Sequence, residues 1–370
     1  MKKVRFAVIG AGSMGQHHLK HASELANTEL TAVCDLKEEN AIKASQQYGC
    51  KYFTDFSELL KSQIYDAVLI STPHYSHAPL AIQALDAGYN VLVEKPLSVH
   101  KADCEKVIDA YNRNKSLKFG VMFNWRTEPC YKKLKQFIDN GTLGRIFRIN
   151  WIITNWFRTN HYYKTDSWRA TWEGEGGGVL MNQCPHQLDL FQWLFGMPAS
   201  VRAFCKFGKE HDIEVEDEVS AYMEYPDGKT AVFITSTCEN PGTNRLEIAA
   251  EFGRVVLEDG KFSFIRTEQS VTDAIRNNQS GQIDKWNVDI PNLTSGGHHL
   301  EITKNFADSI LNNTPLIAPG IEGINSVELA NAMIYSTIQN QTVLLPLDSL
   351  AYEKCLQYLI NTSITKKKST

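Results

Sequence analysis

The sequence predicts an α/β protein in two parts: a parallel, doubly wound sheet in residues 1–124, and an α+β part in residues 125–370 with a large, mostly antiparallel open sheet. Three observations lead there. Up to about residue 124, short apolar runs alternate with helical segments. Beyond it, segments of alternating apolar and polar residues are joined by glycine turns. The 370 residues also exceed what one core supports, since single cores stop growing near about 250–300 residues.

In chain order, residues 4–9 form a β-branched apolar run, 13–25 are helical and 30–34 make a second strand, the change of period of a βαβ unit. Strands follow at 67–71, 90–93 and 119–123, each preceded by a helical segment, which predicts parallel pairing. The second part shows strand patterns at 145–154, 219–225, 230–237 and 246–250, with turns at Asp227-Gly228, Phe252-Gly253 and Asp259-Gly260. Helices at 299–311 and 324–339 complete it. No internal repeat or low-complexity tract is present.

Charge and cysteine usage narrow the partners. With 38 Lys+Arg against 42 Asp+Glu, the formal net charge is -4, which speaks against a nucleic-acid partner. The one basic run, residues 366–368, reads as a solvated tail. No segment approaches the roughly 18–20 apolar residues of a membrane span, and the first apolar run is too short for a secretion signal. A cytoplasmic location without a membrane partner is expected. The eight cysteines (Cys34, Cys50, Cys104, Cys130, Cys184, Cys205, Cys238 and Cys355) include no C-x-x-C pair, which suits reduced thiols and predicts no metal site. The Asn292-Leu293-Thr294 sequon then carries no meaning.

Gly10-Ala11-Gly12-Ser13-Met14-Gly15 matches G-x-G-x-x-G between a strand and a helix. The first glycine permits the tight turn, the second lets a pyrophosphate approach the backbone, and the third packs helix on strand. This is the signature of a Rossmann dinucleotide-binding domain. Asp35 closes the second strand, where a carboxylate accepts from ribose hydroxyls and repels a 2'-phosphate, so NAD is favoured over NADP. The alternative for Asp35 is a helix N-cap.

Thr72-Pro73 with His77, Glu94-Lys95-Pro96, and the block from Gly176 to Asp189 follow in order. Together they resemble the GFO/IDH/MocA oxidoreductases, with their T-P-x-x-x-H loop, E-K-P signature and G-G-x-x-x-D-x-x-x-H-x-x-D block. The resemblance spans essentially the whole chain. It implies an NAD-dependent oxidation of a secondary hydroxyl on a cyclitol, sugar or sugar derivative, and a homodimer or homotetramer. It adds Ser71, Thr72, Pro73, His77, Glu94, Lys95 and Asn124 to Gly10, Gly12, Ser13, Met14, Gly15 and Asp35 as cofactor-binding candidates. Glu94 is given a supporting role, either pairing with Lys95 or aligning a ribose hydroxyl.

The residue chemistry agrees. Hydride loss from an alcohol needs a base for the hydroxyl proton, and His186, with an ordinary pKa of about 6.5, is the candidate. Pro185 either starts a helix or kinks one that begins near Gly177. Lys95, at a strand end, is placed to stabilise alkoxide charge. Asn182 stands where the family usually carries Asp; it hydrogen-bonds but takes no proton, leaving Lys95 and His186 as the core catalytic pair. Asn182, Gln183, His186 and Asp189 alternatively form a polar stripe at an interface. The aromatic and Arg-rich stretch with Trp156, Arg158, Tyr163 and Arg169 suits a sugar pocket, or else core packing. Asn124 and Arg126 are expected to border the nicotinamide pocket, with His298 or His299 reaching the substrate. Two rival functions remain: a non-catalytic NAD-binding sugar sensor, and an NAD-dependent glycosidase or transhydrogenase that retains its cofactor.

Overall fold

The computed structural model describes residues 2–166, 168–277, 281–291 and 295–363. The basic run 366–368 and the sequon at 292–294 lie outside them. The chain divides into two compact units, the first of residues 1–127, 174–176 and 296–327, the second of 128–173, 177–295 and 328–370.

The first unit alternates β1 (Val4–Ile9), α1 (Ser13–Glu24), β2 (Thr28–Cys34), α2 (Glu38–Tyr48), β3 (Lys51–Phe53), α3 (Phe56–Ser62), β4 (Ala67–Ile70), α4 (His74–Asp86), β5 (Asn90–Val93), α5 (Lys101–Arg113) and β6 (Phe119–Val121). The sheet order β3-β2-β1-β4-β5-β6 is parallel throughout, as the alternation requires, because the crossover helices must return the chain to the same edge. β1 and β4 are apolar along nearly their whole length because helices cover both faces. The α1 face that packs down is Gly15, His18, Leu19 and Ala22, a helical stripe. Asp55 caps α3 by accepting from the Ser57 and Glu58 amides.

In the second unit come α6 (Pro129–Asp139), β7 (Ile146–Ile153), α7 (Asn160–Tyr163), α8 (Pro185–Phe195), β8 (Ser200–Phe207), β9 (Glu216–Glu224), β10 (Thr230–Ser236), β11 (Asn244–Ala250), β12 (Gly253–Glu258), β13 (Lys261–Thr267), α9 (Val271–Arg276) and β14 (Lys285–Val288). Then α10 (His298–Asn312) belongs to the first unit, α11 (Gly323–Ile338) continues into the second, and β15 (Val343–Leu344) and α12 (Ser349–Asn361) follow. The nine strands run β14-β13-β12-β11-β7-β10-β9-β8-β15, antiparallel except for β7 beside β10. Alternation along β9 and β10 turns one face inward, where Trp151, Phe191 and Phe233 pack with centroids 5.9–6.5 Å apart.

Two expectations change. Residues 125–370 do not form one unit, because residues 296–327 pack with the parallel sheet: the Phe306 ring lies 6.2 Å from Phe6, and the Val121 amide donates to Ala318 O at 3.2 Å. The other concerns Pro185, which is the first residue of α8 after a series of turns, so the longer kinked helix is not formed.

Candidate active site

The parallel sheet delivers its polar residues to one edge: Gly10, Asp35, Ser71 and Glu94 each directly follow a strand, and Asn124 comes three residues after β6. This carboxyl edge is where open α/β sheets take ligands. Gly10 sits at φ +90, and a Cβ there would stand 2.4 Å from Ser71 O. A Cβ on Gly15 would meet Gly10 O at 2.0 Å, whereas one on Gly12 would meet nothing within 4 Å. Gly12 therefore forms an open lip in front of the α1 amides, flanked by the exposed Ser13 and Met14. Beside Gly10, the buried Ser71 Oγ and Thr72 Oγ1 have no protein partner. An open amide cradle with orphan hydroxyls fits a dinucleotide pyrophosphate and ribose. Asp35 accepts from the Ala11 amide at 2.7 Å and the Lys37 amide at 2.8 Å. The N-cap of α2 is Lys37, so the capping alternative for Asp35 is not realised. Each Asp35 oxygen keeps a lone pair for a ribose hydroxyl.

Glu94 is buried at the end of β5. His18 Nε2 donates to its Oε1 at 2.7 Å, and the Lys95 amide donates to its Oε2 at 3.1 Å. Burial opposes ionisation, but His18, His299 and Lys95 outweigh it and hold the carboxyl well below the usual carboxylate range. His299 Nε2 stands 3.9 Å from the same Oε1, while its Nδ1 faces Asn124 Nδ2 at 3.2 Å. Accepting from that amide leaves the His299 proton on Nε2, toward Glu94. Burial pushes the His299 pKa down to about 4. Lys95 is half-buried, its backbone fixed by Glu94.

Two residues expected at the cofactor and substrate edge have buried protein contacts. His77 is buried with Nδ1 2.7 Å from Pro96 O and Nε2 2.7 Å from Thr72 O. The two ring nitrogens face backbone carbonyls of the Thr72 loop and of the Lys95-Pro96 segment, and burial lowers the His77 pKa, so the neutral ring donates to one of them. Arg126 is also buried, its Nη1 donating to Glu322 at 2.6 Å and to Ile317 O at 3.2 Å. That is a buried ion pair with a structural role.

In the second unit, the glycine run ahead of α8 passes against β9: a Cβ on Gly178 would meet Glu216 O at 2.0 Å. The buried Glu216 carboxylate accepts from the Gly178 and Leu180 amides at 2.8 and 3.0 Å, shaping the turn that carries Asn182. His186 follows as the second residue of α8. Asn182 and Gln183 precede that helix, so no four-residue polar stripe runs along it. Asp189 is buried and accepts from Gln192 Nε2 at 3.0 Å.

Tyr162 is the hub. Its hydroxyl accepts from Arg169 Nη1 at 2.9 Å and from Gln183 Nε2 at 3.4 Å, and donates to Asn182 Oδ1 at 3.5 Å. Trp156 Nε1 donates to the Gln187 side-chain oxygen at 3.0 Å. Tyr163, the tyrosine named from sequence, is instead buried, donating to Thr237 Oγ1 at 3.0 Å with its ring 5.0 Å from His211. Trp156, Arg158, Arg169, Asn182, Gln183 and Tyr162 thus share one region, and His186 follows on the same segment as Asn182.

Sequence reasoning passed over His18, Tyr162 and Glu216. His18 carried a signal, a polar residue on the buried stripe of α1; Tyr162 lay in the aromatic stretch beside the Tyr163 that was singled out, and Glu216 carried none. His211, Asp217 and Cys238 bring one ligand atom each within 4.8 Å of one another. The Asp217 carboxylate is spent on the turn, accepting from the amides of Lys209, Glu210 and His211.

Residues 4–123 match the oxidoreductase family with an NAD-binding Rossmann fold, and residues 131–256 match the GFO/IDH/MocA C-terminal domain. Oxidoreductase P35 of Formosa agariphila is 28% identical over 59% of this chain and 68% of its own length. Inositol 2-dehydrogenase of Salmonella typhimurium is 29% identical over 52% of this chain, which spans about half (54%) of that enzyme. The WlbA dehydrogenase of Bordetella pertussis, solved with NADH and UDP-GlcNAcA, superposes with a TM-score of 0.79 at 26% identity, covering 94% of this chain and 100% of that one.

Proposed function

The chain belongs to the GFO/IDH/MocA oxidoreductase family, with an NAD-binding Rossmann domain, and from that premise we propose that it is an NAD-dependent dehydrogenase oxidising a secondary hydroxyl of a cyclitol, sugar or sugar derivative. Bound NAD supplies the hydride acceptor. Gly10, Gly12, Ser13, Met14, Gly15, Asp35, Ser71, Thr72 and Asn124 hold it. Lys95 hydrogen-bonds the reacting oxygen and offsets its developing charge. His186 takes the hydroxyl proton and returns it in the reverse direction. Asn182 orients substrate by hydrogen bonding without titrating.

The observation that carries this reading is the anchoring of Lys95, whose amide is held by a buried, ionised Glu94 at the carboxyl end of β5. The named inositol activity of one relative and the sugar nucleotide bound to a structural neighbour support the substrate class. Eight free cysteines suit a reducing cytoplasm, and among the described residues no helix is long and apolar enough to cross a membrane. Phe204 and Tyr222, exposed on neighbouring strands β8 and β9, favour a homodimer or homotetramer through the open sheet.

Nicotinamide absorbance across a panel of inositols and sugars tests the reaction: one compound is reduced or oxidised, and Lys95→Ala and His186→Ala each lose that turnover at least a hundredfold. Tight NAD binding with no turnover on any compound, or wild-type turnover in either variant, would refute it.

A further inference from the structure

Two guanidinium groups converge on one aromatic ring in the second unit. The Cζ atoms of Arg158 and Arg169 each lie 4.8 Å from the Tyr162 ring centroid. Arg158 also sits 5.6 Å from the Trp156 ring, and Arg169 4.7 Å from the Trp168 ring. Cation–π attraction holds the two planes in place but leaves their N–H donors to be satisfied. Arg169 spends Nε on Asp166 Oδ2 at 3.0 Å and Nη1 on the Tyr162 hydroxyl at 2.9 Å. Arg158 spends Nη1 on the neighbouring Phe157 O at 2.9 Å. Its Nε is buried with no acceptor, and among the described residues no carboxylate lies within 4.0 Å of it. An Nε that solvent cannot reach is also closed to a ligand, so what Arg158 can offer an anion is the rest of its half-buried guanidinium, where the protein engages Nη1.

The Arg158 backbone is also pre-set. Its amide donates to Thr237 O at 3.0 Å, and its carbonyl faces His211 Nε2 at 2.9 Å. His211 is in turn held at 3.1 Å by the buried Asp217. Tyr162 ties Arg169 to Asn182 and Gln183 through its hydroxyl and carries Arg158 against its ring.

We propose that Arg158 and Arg169 form an anion subsite, taking a carboxylate or phosphate carried by the sugar substrate next to Asn182. Planar forks fit such oxygens in pairs. The subsite rests on the dehydrogenase reading for its substrate class, but is read out by binding alone. Calorimetry on the full chain loaded with NADH uses glucuronate for a carboxylate, glucose 6-phosphate for a phosphate, and glucose as the neutral reference. At least one anionic sugar should bind about tenfold tighter than glucose or better, a preference that shrinks with added salt. The arm showing it identifies the anion. Arg158→Gln should bring the ratio close to one, and Arg158→Lys, which keeps the charge without the fork, should give an intermediate ratio. Equal binding of all three sugars by the parent, or an undiminished ratio in Arg158→Gln, overturns the proposal. Anionic preference without turnover on any sugar would leave the subsite standing and remove the dehydrogenase reading.

Discussion

Adding one methyl at two glycines three residues apart separates the folding role of the G-x-G-x-x-G turn from its binding role. In Gly15→Ala the new Cβ stands 2.0 Å from Gly10 O, where ordinary contact begins at 3.4 Å. Both neighbours are backbone, so α1 must move off β1. Helix propensity returns up to about 1 kcal/mol, against an overpacking cost of roughly 1–3 kcal/mol at the tight end of the range. The net loss is about 1–2 kcal/mol, or roughly 2–8 °C in the midpoint of the unit that contains it. In Gly12→Ala nothing lies within 4 Å and the backbone, at φ -67, already suits an L-residue. Stability without cofactor should therefore stay within about 0.5 kcal/mol of the parent. The methyl instead occupies the lip that a pyrophosphate approaches, weakening NAD binding by roughly 5- to 100-fold. Thermal unfolding without cofactor and calorimetric titration with NAD read the two effects. A Gly12→Ala chain that binds NAD like the parent, or a Gly15→Ala chain that melts with it, would refute the assignment of the turn.

Three further outcomes follow from the first unit. The His299 pKa falls from 6.5 to about 4 on folding, so the unfolded chain binds more protons between those values. His299 thus contributes stability that is present above pH 6.5 and lost as pH falls toward 4, up to roughly 3 kcal/mol; urea unfolding across that window should show the slope, and His299→Gln should flatten it. Glu322→Ala removes a charged partner of the buried Arg126 and costs about 2–3 kcal/mol by denaturant titration; a cost under about 0.5 kcal/mol would mean that the pair is not structural. Asp35→Ser should narrow the preference for NAD over NADP by roughly tenfold, checked by the two dissociation constants; an unchanged ratio would assign the preference elsewhere.

What could be read from the sequence follows the range of the interaction. The turn from Gly10 to Gly15 and the strand ends at Asp35 and Glu94 obey local rules, and each was legible; at Pro185 the sequence left a helix start and a kinked longer helix both open. Partners far apart in sequence were not. The His18–Glu94 bond spans 76 residues and the Arg126–Glu322 pair 196, so neither pairing registers in local sequence. Tyr162 and Tyr163 differ by about 100° around one short helix, and composition does not say which faces the amides. β3 has three residues and β15 two, too few for alternation to register.

The return of residues 296–327 to the parallel sheet bears on how the protein is made. A ribosome releases β1 to β6 first, yet Phe306 beside Phe6, Ala318 O on the Val121 amide, and the Gly120–Pro319 bridge arrive only after the whole nine-stranded sheet has been synthesised except for β15. The nucleotide-binding unit therefore cannot mature during synthesis in the order of its sequence. Through that interval the nascent chain exposes an apolar flank and an open β6 edge, the kind of surface that chaperones hold and that drives aggregation when synthesis stalls.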